Sequence, residues 1–352
     1  MAMRGLGAVF AAIALLLIGV GSGVAAEALK IVVQNGAAAP ALDTARLDIA
    51  KELGFFRDEG LDVEIRYGAG AALAAQLTAN DKIDLSVITY EPVIVGYDKG
   101  IRGKFFYQTT SRVIYYIAVP DESPIKTAKD LAGRKIGVVG LGSAAVTVAK
   151  SIARSAGVSA DDLTFLPVGF GDQAASALRG NRVDVLALWD GGYAPLISSG
   201  MKLRFIRHPK LVDGGNAALF ASDKTIAERK DDLARFARAY TKASIFAQAN
   251  PEAAIKLFWK ANPGAKRQGD EAEAMRRARI EMDFVVETFG GSVKAGHVNK
   301  KLFDAYAETI LEDQPGAKPP TSAMLVTDDL LGLSDGVDAA AVQASAKAWK
   351  EP

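Results

Sequence analysis

The chain has no cysteine among its 352 residues and only two histidines. Without cysteine there can be no disulfide, no thiol catalysis, no thiolate metal site and no lipid attached to a cysteine. His208 and His297 do not show the spacing of a metal-binding motif such as His-x-x-x-His. The sequence also shows no nucleophile elbow and no order of residues typical of a catalytic triad. We therefore expect no metal, no cofactor and no enzymatic activity.

An excess of charge of one sign is also missing, since 42 basic residues face 41 acidic ones. A nucleic-acid partner calls for a basic stripe, and the sequence shows none, so we expect no nucleic acid to bind. After the N-terminal segment no stretch is apolar enough to cross a membrane. We expect the mature chain to be a soluble monomer.

The first 26 residues differ from the rest of the chain. Arg4 is their only charge, an apolar run covers residues 9–20, and small residues follow it. This order is typical of a secretory signal peptide, and the run is shorter than the roughly 20 residues that span a bilayer. We predict that residues 1–26 are removed before Glu27. Because no cysteine is available for a lipid anchor, the predicted location is the periplasm.

The sequence contains an internal repeat with an offset of about 100 residues. Residues 83–105 align without a gap on residues 183–205, and the alignment pairs Asp84 with Asp184. The alternative is chance similarity between two ordinary α/β segments. The ungapped identities and the matching order of predicted elements favour a duplicated architecture.

Each copy of the repeat predicts a strand, a helix, a second strand, a second helix and a third strand. The predicted strands are nearly continuous apolar runs, as in a parallel sheet whose two faces are covered by helices. Alternation of strands and helices predicts βαβ units. The predicted strands cover residues 29–33, 61–67 and 83–88 in the first copy and residues 135–139, 163–167 and 183–188 in the second.

Two α/β lobes are therefore expected, joined by a hinge of two segments. Residues 113–119 are predicted to cross to the second lobe and residues 217–221 to return. Lobe one is predicted to contain residues 27–118 and 215–352, including a helical tail packed on it, and lobe two residues 119–214. Ligands of open parallel sheets bind beyond the carboxyl ends of the strands, so these ends should line a cleft between the lobes.

Two stretches of the sequence carry a family resemblance. Residues 50–64 run from a helix through Gly-Phe-Phe and an acidic-Gly-Leu step into a strand, and residues 125–137 lead into the first strand of the second lobe. Over residues 28–220 the chain resembles the nitrate/sulfonate/taurine-type and thiamine-pyrimidine-precursor-type solute-binding proteins of ABC transporters. The resemblance implies a type II periplasmic-binding-protein fold, with a membrane permease and an ATPase as partners.

The candidate ligand-binding residues lie near the ends of predicted strands and in the turns that open helices. Amide side chains after the first strand offer both donors and acceptors, although an ordinary turn would use them too. The candidates are Gln34, Asn35, Gly70, Ala71, Tyr90, Glu91, Gly142, Ser143, Ala144, Phe170, Trp189, Asp190 and Tyr193.

Two glycine-containing turns open predicted helices, one at Gly70–Ala71 and one at Gly142–Ser143–Ala144. Free backbone N–H groups and the helix dipole favour anionic groups at such points. The alternatives are that the glycines serve only the dihedral angles of the turns, and that Ser143 only caps its helix.

The ends of the third strands carry aromatic and acidic side chains, Tyr90 and Glu91 in one copy and Trp189 and Asp190 in the other. The repeat predicts that the two clusters face each other. Aromatic rings across a cleft would sandwich a planar ligand, and the carboxylates would accept hydrogen bonds from an amine or ring N–H. The alternatives are rings that only pack and carboxylates that only face solvent.

Two carboxylates near a cleft disfavour a small inorganic anion. The sequence therefore predicts a small organic ligand, aromatic or nitrogen-containing, with or without an anionic group. Closure of the lobes would capture it for delivery to an ATP-driven importer. A sulfonate- or nitrate-type binder, and a sensing protein that serves a membrane receptor, remain as alternatives.

Overall fold

The protein was analysed as a computed structural model. The predicted signal peptide lies outside the described residues. The structure describes residues 29–37, 39–68, 70–211, 213–289, 296–312, 314, 316–331 and 336–351.

The described residues contain strands and helices in alternation, followed by a helical tail. No described helix has the length and apolar character required to cross a membrane. The strands are β1 (Leu29–Asn35), β2 (Leu61–Tyr67), β3 (Leu85–Thr89), β4 (Lys104–Gln108), β5 (Tyr115–Pro120), β6 (Lys135–Val138), β7 (Thr164–Pro167), β8 (Val185–Trp189), β9 (Leu203–Ile206) and β10 (Ala217–Ala221).

The helices include α-helices and short 3-10 helices. The α-helices are α1 (Arg46–Glu52), α2 (Phe55–Asp58), α3 (Ala71–Ala79), α4 (Glu91–Gly96), α5 (Ala144–Arg154), α6 (Asp172–Arg179), α7 (Asp190–Ser198), α8 (Asp223–Glu228), α9 (Lys230–Ala249), α10 (Pro251–Ala261), α11 (Glu271–Val286), α12 (Lys300–Leu311), α13 (Ser322–Leu325) and α14 (Ala339–Ala348). The 3-10 helices are Leu42–Thr44, Tyr97–Lys99, Ala128–Leu131, Ala160–Asp162 and Pro263–Ala265.

The strands form two sheets with the same architecture. The first sheet has the order β2-β1-β3-β10-β4 and the second the order β7-β6-β8-β5-β9. In each sheet the first three strands are parallel and the fourth runs antiparallel to both of its neighbours. This is the two-lobed α/β architecture predicted from the repeat, and helices cover the apolar strands as βαβ units require.

The aspartates paired by the sequence repeat have the same structural role. Asp84 Oδ2 accepts a hydrogen bond from the backbone N–H of Val32 at 2.7 Å. Asp184 Oδ2 accepts one from the backbone N–H of Lys135, also at 2.7 Å. Each carboxylate lies just before the third strand of its sheet and fixes the neighbouring first strand. The identity at this position therefore reflects folding rather than ligand binding.

Two segments connect the sheets. One leads from β4 to β5 and the other from β9 to β10, and they pair with each other at an antiparallel bridge between Arg112 and Asp213. Asn216 strengthens this pairing, because its Oδ1 accepts from the backbone N–H of Ile114 at 3.0 Å. Each crossing supplies the antiparallel strand of the sheet that it enters.

The helical tail after β10 packs on both halves of the molecule, each half being one sheet with its covering helices. Helix α9 packs on α1 and α2, and α14 packs on α9, as expected for a tail on lobe one. Helix α11, however, packs on α7, and α12 contacts both α4 and α5. The prediction of a tail on lobe one alone is thus incomplete, because α11 buries Ala278 and Met282 near elements that follow β8. The predicted domain boundaries remain a prediction.

Candidate functional site

A cavity of about 350 Å³, here called the first cavity, lies where the strand ends of the two sheets meet. The first sheet contributes the turn after β1, the start of α3 and the end of β3. The second sheet contributes the start of α5 and the end of β8. The predicted candidates that line it are Asn35, Gly70, Ala71, Gly142, Ser143, Ala144, Trp189 and Asp190.

Asn35 and Ser143 have side-chain oxygens that shape the turns of the first cavity. Asn35 Oδ1 accepts from the backbone N–H of Ala37 at 2.8 Å. Ser143 Oγ accepts from the backbone N–H of Ala145 at 3.2 Å and so caps α5. Gln34 does not line the cavity, since its Nε2 donates to the carbonyl of Asn35 at 3.1 Å behind the turn.

Tyr90 and Glu91 lie away from the first cavity, in contrast to the expected position. The Tyr90 hydroxyl donates to Gln108 Oε1 at 3.2 Å within the core. Glu91 accepts from Asn216 Nδ2 at 2.8 Å and from the hydroxyl of Tyr306, and it is 1% exposed. Burial raises the pKa of Glu91. The turn from β3 into α4 directs both side chains toward α12 instead of the cleft.

Tyr193 and Phe170 also lie outside the lining of the first cavity. The Tyr193 hydroxyl accepts from the backbone N–H of Leu188 at 2.9 Å and lies 2.8 Å from the carbonyl oxygen of Tyr116. It is a core residue of the second sheet because α7 turns it inward. The Phe170 ring lies 5.6 Å from the Trp189 ring and lines a neighbouring cavity.

Asp43, in the 3-10 helix Leu42–Thr44, is a site residue absent from the predicted set. Its Oδ2 accepts a hydrogen bond from Trp189 Nε1 at 2.6 Å, which joins the two halves of the cleft. Its buried Oδ1 has no hydrogen-bond partner among the described residues. Burial raises the pKa of Asp43, against the opposing effects of the Trp189 N–H and the Arg46 guanidinium.

Arg46 is a second site residue that the sequence did not reveal. Its Nη1 donates to the carbonyl of Thr109 at 2.7 Å. The guanidinium lies 4.0 Å from the ring centroid of Phe289 and 4.7 Å from that of Tyr240, both of which line the cavity. Its Nε has no partner within the described part of the chain. The stacked rings hold this donor in place beside the cavity.

Asp190 presents a buried carboxylate from the second sheet. One oxygen accepts from the hydroxyl of Tyr116, and Arg112 Nη2 lies 3.8 Å from the other. That other oxygen, Oδ2, has no hydrogen-bond partner in the described residues. Burial raises the pKa of Asp190 to about 6, although the Tyr116 hydrogen bond and the Arg112 charge oppose this.

The first cavity therefore combines unsatisfied polar atoms with aromatic walls. Buried polar atoms in folded proteins almost always have partners, so these atoms mark positions where a ligand would complete the hydrogen bonds. Asp43 Oδ1 and Asp190 Oδ2 would accept from donors, and Arg46 Nε would donate. Rings of Tyr115, Trp189, Tyr240 and Phe289 line the same space.

Some of the missed residues had a signal in the sequence, and others had none. Asp43 and Arg46 follow β1, so the rule that ligands bind beyond strand ends would have included them if the loop had been followed further. Tyr240 lies on α9, and Phe289 follows the end of α11, both in the helical tail. Apolar periodicity there cannot distinguish a ring in the core from one at a cavity.

A family model described as NMT1/THI5 like matches residues 42–254, more than half of the chain. A curated relative, the formylaminopyrimidine-binding protein of Halalkalibacterium halodurans, is 25% identical over 219 residues. The match covers 60% of this chain and 64% of that relative, so it spans less than two thirds of the relative's length.

Solved structures share the fold. The alkanesulfonate-binding protein SsuA from Xanthomonas axonopodis, bound to MOPS, gives a TM-score of 0.66 at 16% identity and covers 86% of this chain and 99% of its own. The nitrate-binding protein NrtA from Synechocystis gives 0.65 at 15% identity, covering 90% and 91%.

Most of these neighbours are binding proteins rather than enzymes. An exception is the desulfurization enzyme DSZB, with a TM-score of 0.56 at 16% identity over 87% of this chain and 98% of that one. One of its structures is of a mutant in which a cysteine is replaced, in complex with a sulfinic acid. The present chain has no cysteine at any position.

Proposed function

The chain belongs to the NMT1/THI5-like family, and from this premise we propose that it is an ABC-type solute-binding protein for an aminopyrimidine-like ligand. The ligand binds in the first cavity, between the strand ends of the two sheets. The curated relative and most structural neighbours are named as binding proteins, and the proposal is accordingly that this chain captures a solute and is not an enzyme.

The observation that carries the ligand class is the pairing of free carboxylate oxygens with aromatic rings in one cavity. Asp43 Oδ1 and Asp190 Oδ2 are buried acceptors without a hydrogen-bond partner among the described residues, although Arg112 Nη2 lies 3.8 Å from Asp190 Oδ2. An aminopyrimidine has N–H donors in the plane of its ring and two apolar faces. The donors would satisfy the carboxylates, and the faces would stack on rings such as Trp189.

Closure of the two halves follows from the position of these groups. Asp43 belongs to the segment after β1, whereas Asp190 follows β8 in the other sheet. A ligand that bonds both carboxylates is held by both halves and shifts the population toward the closed arrangement. The paired crossing segments at Arg112 and Asp213 provide the hinge for this movement.

An anionic ligand is the second candidate, and one observation favours it. Arg46 Nε is a buried donor without a partner in the described part of the chain, and the starts of α3 and α5 line the same cavity. Such groups bind sulfonates or nitrate. Two carboxylates beside one guanidinium make the cavity unfavourable for an isolated anion. Arg46 would suit instead a carbonyl oxygen on the ligand.

Location and partners complete the proposal. Two of the structural neighbours are periplasmic binding proteins, and residues 1–26 have the pattern of a signal peptide. The two bodies that close are proposed to follow the predicted bounds, residues 27–118 with 215–352 and residues 119–214, except that β5 moves as a whole with the second sheet. The closed form would deliver its ligand to the permease and ATPase of an importer. A sensor for a membrane receptor would share the capture step and differ only in its partner.

Calorimetric titration of residues 27–352 tests the ligand class, using an aminopyrimidine, an alkanesulfonate and nitrate. We expect tight binding of the aminopyrimidine alone. Asp190→Asn and Asp43→Asn should each weaken it at least about tenfold, because a hydrogen bond to a charged group is lost. Asp98→Asn, at an exposed position outside the cavity lining, serves as the control.

Three other results would contradict or refine the ligand class, the site residues and the role in delivery. Binding of the sulfonate or nitrate without the aminopyrimidine would overturn the ligand class and favour the anionic candidate. Equal affinity of both carboxylate variants and the wild type would remove Asp43 and Asp190 from the site. Uptake of the ligand by vesicles that carry the permease and ATPase, only when the protein is present, distinguishes delivery from sensing.

A further inference from the structure

A second cavity of about 260 Å³ adjoins the first one and has no role in the proposed function so far. It lies between the 3-10 helix Leu42–Thr44, the starts of α6 and α7, and the helices α10 and α11. Asp43 lines both cavities. The second cavity is therefore a neighbour of the ligand site and, like the first cavity, has walls from both halves of the molecule.

Three side chains lie where the two cavities adjoin, those of Asp43, Trp189 and Phe170. Trp189 lines the first cavity, and the Phe170 ring that packs beside it at 5.6 Å lines the second. The Trp189 Nε1–Asp43 Oδ2 hydrogen bond of 2.6 Å joins this boundary to the other half. Gly191 allows the close approach, since a Cβ there would overlap the Asp43 carboxyl group.

The second cavity is chemically suited to an apolar group. Its walls include the rings of Phe170, Phe258 and Trp259 and the side chain of Pro195. Apart from Asp43, the charged residues at this cavity are already paired. Arg267 Nη2 lies 3.3 Å from Glu281 Oε1, which also accepts from Ser198 at 2.5 Å, and Lys266 Nζ lies 2.8 Å from Glu271 Oε1.

We infer that the second cavity is a subsite that receives an apolar or aromatic substituent of the bound ligand, which passes between Asp43 and Trp189. The inference rests on the proposed function, because the ring of the ligand stays in the first cavity. An amide N–H at the junction would replace the Trp189 N–H as the donor to Asp43. The carboxylate then keeps a hydrogen bond while the boundary opens, so opening costs little.

The test compares two ligands that differ only in the substituent, an aminopyrimidine with a formamidomethyl group and its benzamidomethyl analogue. Titration of the wild-type protein should show that the phenyl ring strengthens binding about tenfold, because it is removed from water. A loss of binding of the analogue, with the formamide still bound, would show that the second cavity is closed to ligands and would overturn the inference.

Two glycine variants fill one cavity each. Gly264 lines the second cavity and Gly140 the first, and a Cβ at either position would meet no atom within 4 Å. Gly264→Phe should abolish the advantage of the phenyl ring and leave the affinity of the formamide unchanged. Gly140→Phe should weaken both ligands. An undiminished advantage in Gly264→Phe, with Gly140→Phe weakened, would place the phenyl ring outside the second cavity.

A third variant tests the boundary itself. Trp189→Phe keeps an aromatic ring and removes the donor to Asp43. The ratio of the two affinities should shift further toward the benzamide, because the phenylalanine ring is smaller than the indole and leaves more room for the phenyl ring of the ligand to pass. An unchanged ratio would contradict passage between Asp43 and Trp189. Failure of both ligands to bind the wild type would instead contradict the proposed ligand class, so the two failures are distinguishable.

Discussion

At the scale of single residues, the carboxyl group of Asp190 is buried before any ligand arrives. It is 2% exposed, and one of its oxygens has no hydrogen-bond partner among the described residues. A binding site that keeps such an atom free loses stability in the absence of ligand, because buried polar groups cost free energy when they are unpaired. In the proposed complex the ligand would recover this free energy by donating to the atom.

The pH dependence of stability should reveal this cost. The folded protein holds the Asp190 proton up to a pKa of about 6, whereas the unfolded chain releases it near 3.8. The folded state binds more protons between these values, so its stability falls as pH rises through this window. Urea unfolding of the wild type should show a loss of about 2–3 kcal/mol from this residue as pH rises through the window. The Asp190→Asn variant should lack this part of the loss.

Asp43, Asp48 and Glu91 also have raised pKa values because of burial, and they contribute with the same sign. The slope of unfolding free energy against pH in the wild type therefore contains several residues. The difference in unfolding free energy between the wild type and Asp190→Asn isolates the contribution of Asp190. A difference that stays constant with pH would mean that Asp190 is already ionised in the free folded protein.

The sequence predicted only some of the residues that lie at the site. Trp189 and Asp190 were expected in the cleft and line it, because Trp189 ends β8 and Asp190 begins α7 directly after it. Tyr90 and Glu91 occupy the matching place in the first sheet but face the core. The repeat gives the position along the strand, whereas the packing of α12 on α4 decides the direction of the side chain, and α12 lies outside the repeat.

At the scale of elements, the pairing of the two crossing segments depends on a glycine. Gly215 has a φ of +68°, and a Cβ there would overlap the carbonyl oxygen of Thr110 in the other crossing segment. Gly133 has a φ of +71° and no atom within 4 Å of such a Cβ. Both positions favour glycine for their dihedral angles, and only the first is also confined by the backbone of a neighbouring segment.

Gly215→Ala should therefore destabilise the protein more than Gly133→Ala. The left-handed conformation costs each alanine variant about 1–2 kcal/mol, and the contact with a backbone oxygen adds to this only in Gly215→Ala. Chemical unfolding of the two variants beside the wild type measures the difference. Equal losses of unfolding free energy in the two variants would show that the two crossing segments can move apart without a cost in stability.

The start of α7 gives a second prediction at this scale. Gly191→Ala should displace the Asp43 carboxyl group and break its hydrogen bond to Trp189, which weakens the closed arrangement. We expect the affinity for an aminopyrimidine to fall about tenfold with little loss of folding stability. Gly140→Ala, also at the cavity but with no atom near its Cβ, is the control. An unchanged affinity of Gly191→Ala for the aminopyrimidine would show that closure does not depend on the contact between Gly191 and Asp43.

At the scale of the whole molecule, the tail forms contacts away from the first cavity that would support the proposed closure. Ser198, at the end of α7, donates to Glu281 on α11 at 2.5 Å. Ser199 beside it bonds only within its own helix among the described residues, to the carbonyl of Leu196 at 2.6 Å. Among the described residues, the Ser198 hydroxyl thus forms a hydrogen bond to the tail, and the Ser199 hydroxyl does not.

Ser198→Ala should raise the dissociation constant for ligand about tenfold, because a hydrogen bond to a carboxylate stabilises the arrangement in which α7 and α11 are in contact. Ser199→Ala should leave it unchanged. Calorimetric titration measures both, and small-angle scattering of the free proteins should show a larger radius of gyration for Ser198→Ala. The same affinity and radius for both variants would mean that α7 and α11 stay together when the cleft opens.

The architecture was more predictable than the site. The repeat and the apolar strands predict two α/β lobes, and the two sheets with equal strand order confirm this. The contacts of α11 and α12 with both halves were not predicted, because an amphipathic helix shows that one face is buried and not which partner covers it. The rings of Tyr240 and Phe289 reach the cavity through this part of the chain.

The exchange of strands between the sheets also governs the order in which the chain can fold as it is made. All strands of the second sheet lie within Tyr115 to Ile206, so this sheet is complete while the tail is still being synthesised. The first sheet cannot join β3 to β4 until β10, which ends at Ala221, has emerged. Although domains generally fold from the N-terminus during synthesis, the sheet begun first is here finished last. A nascent chain that stops before β10 would hold one folded half and one open sheet edge.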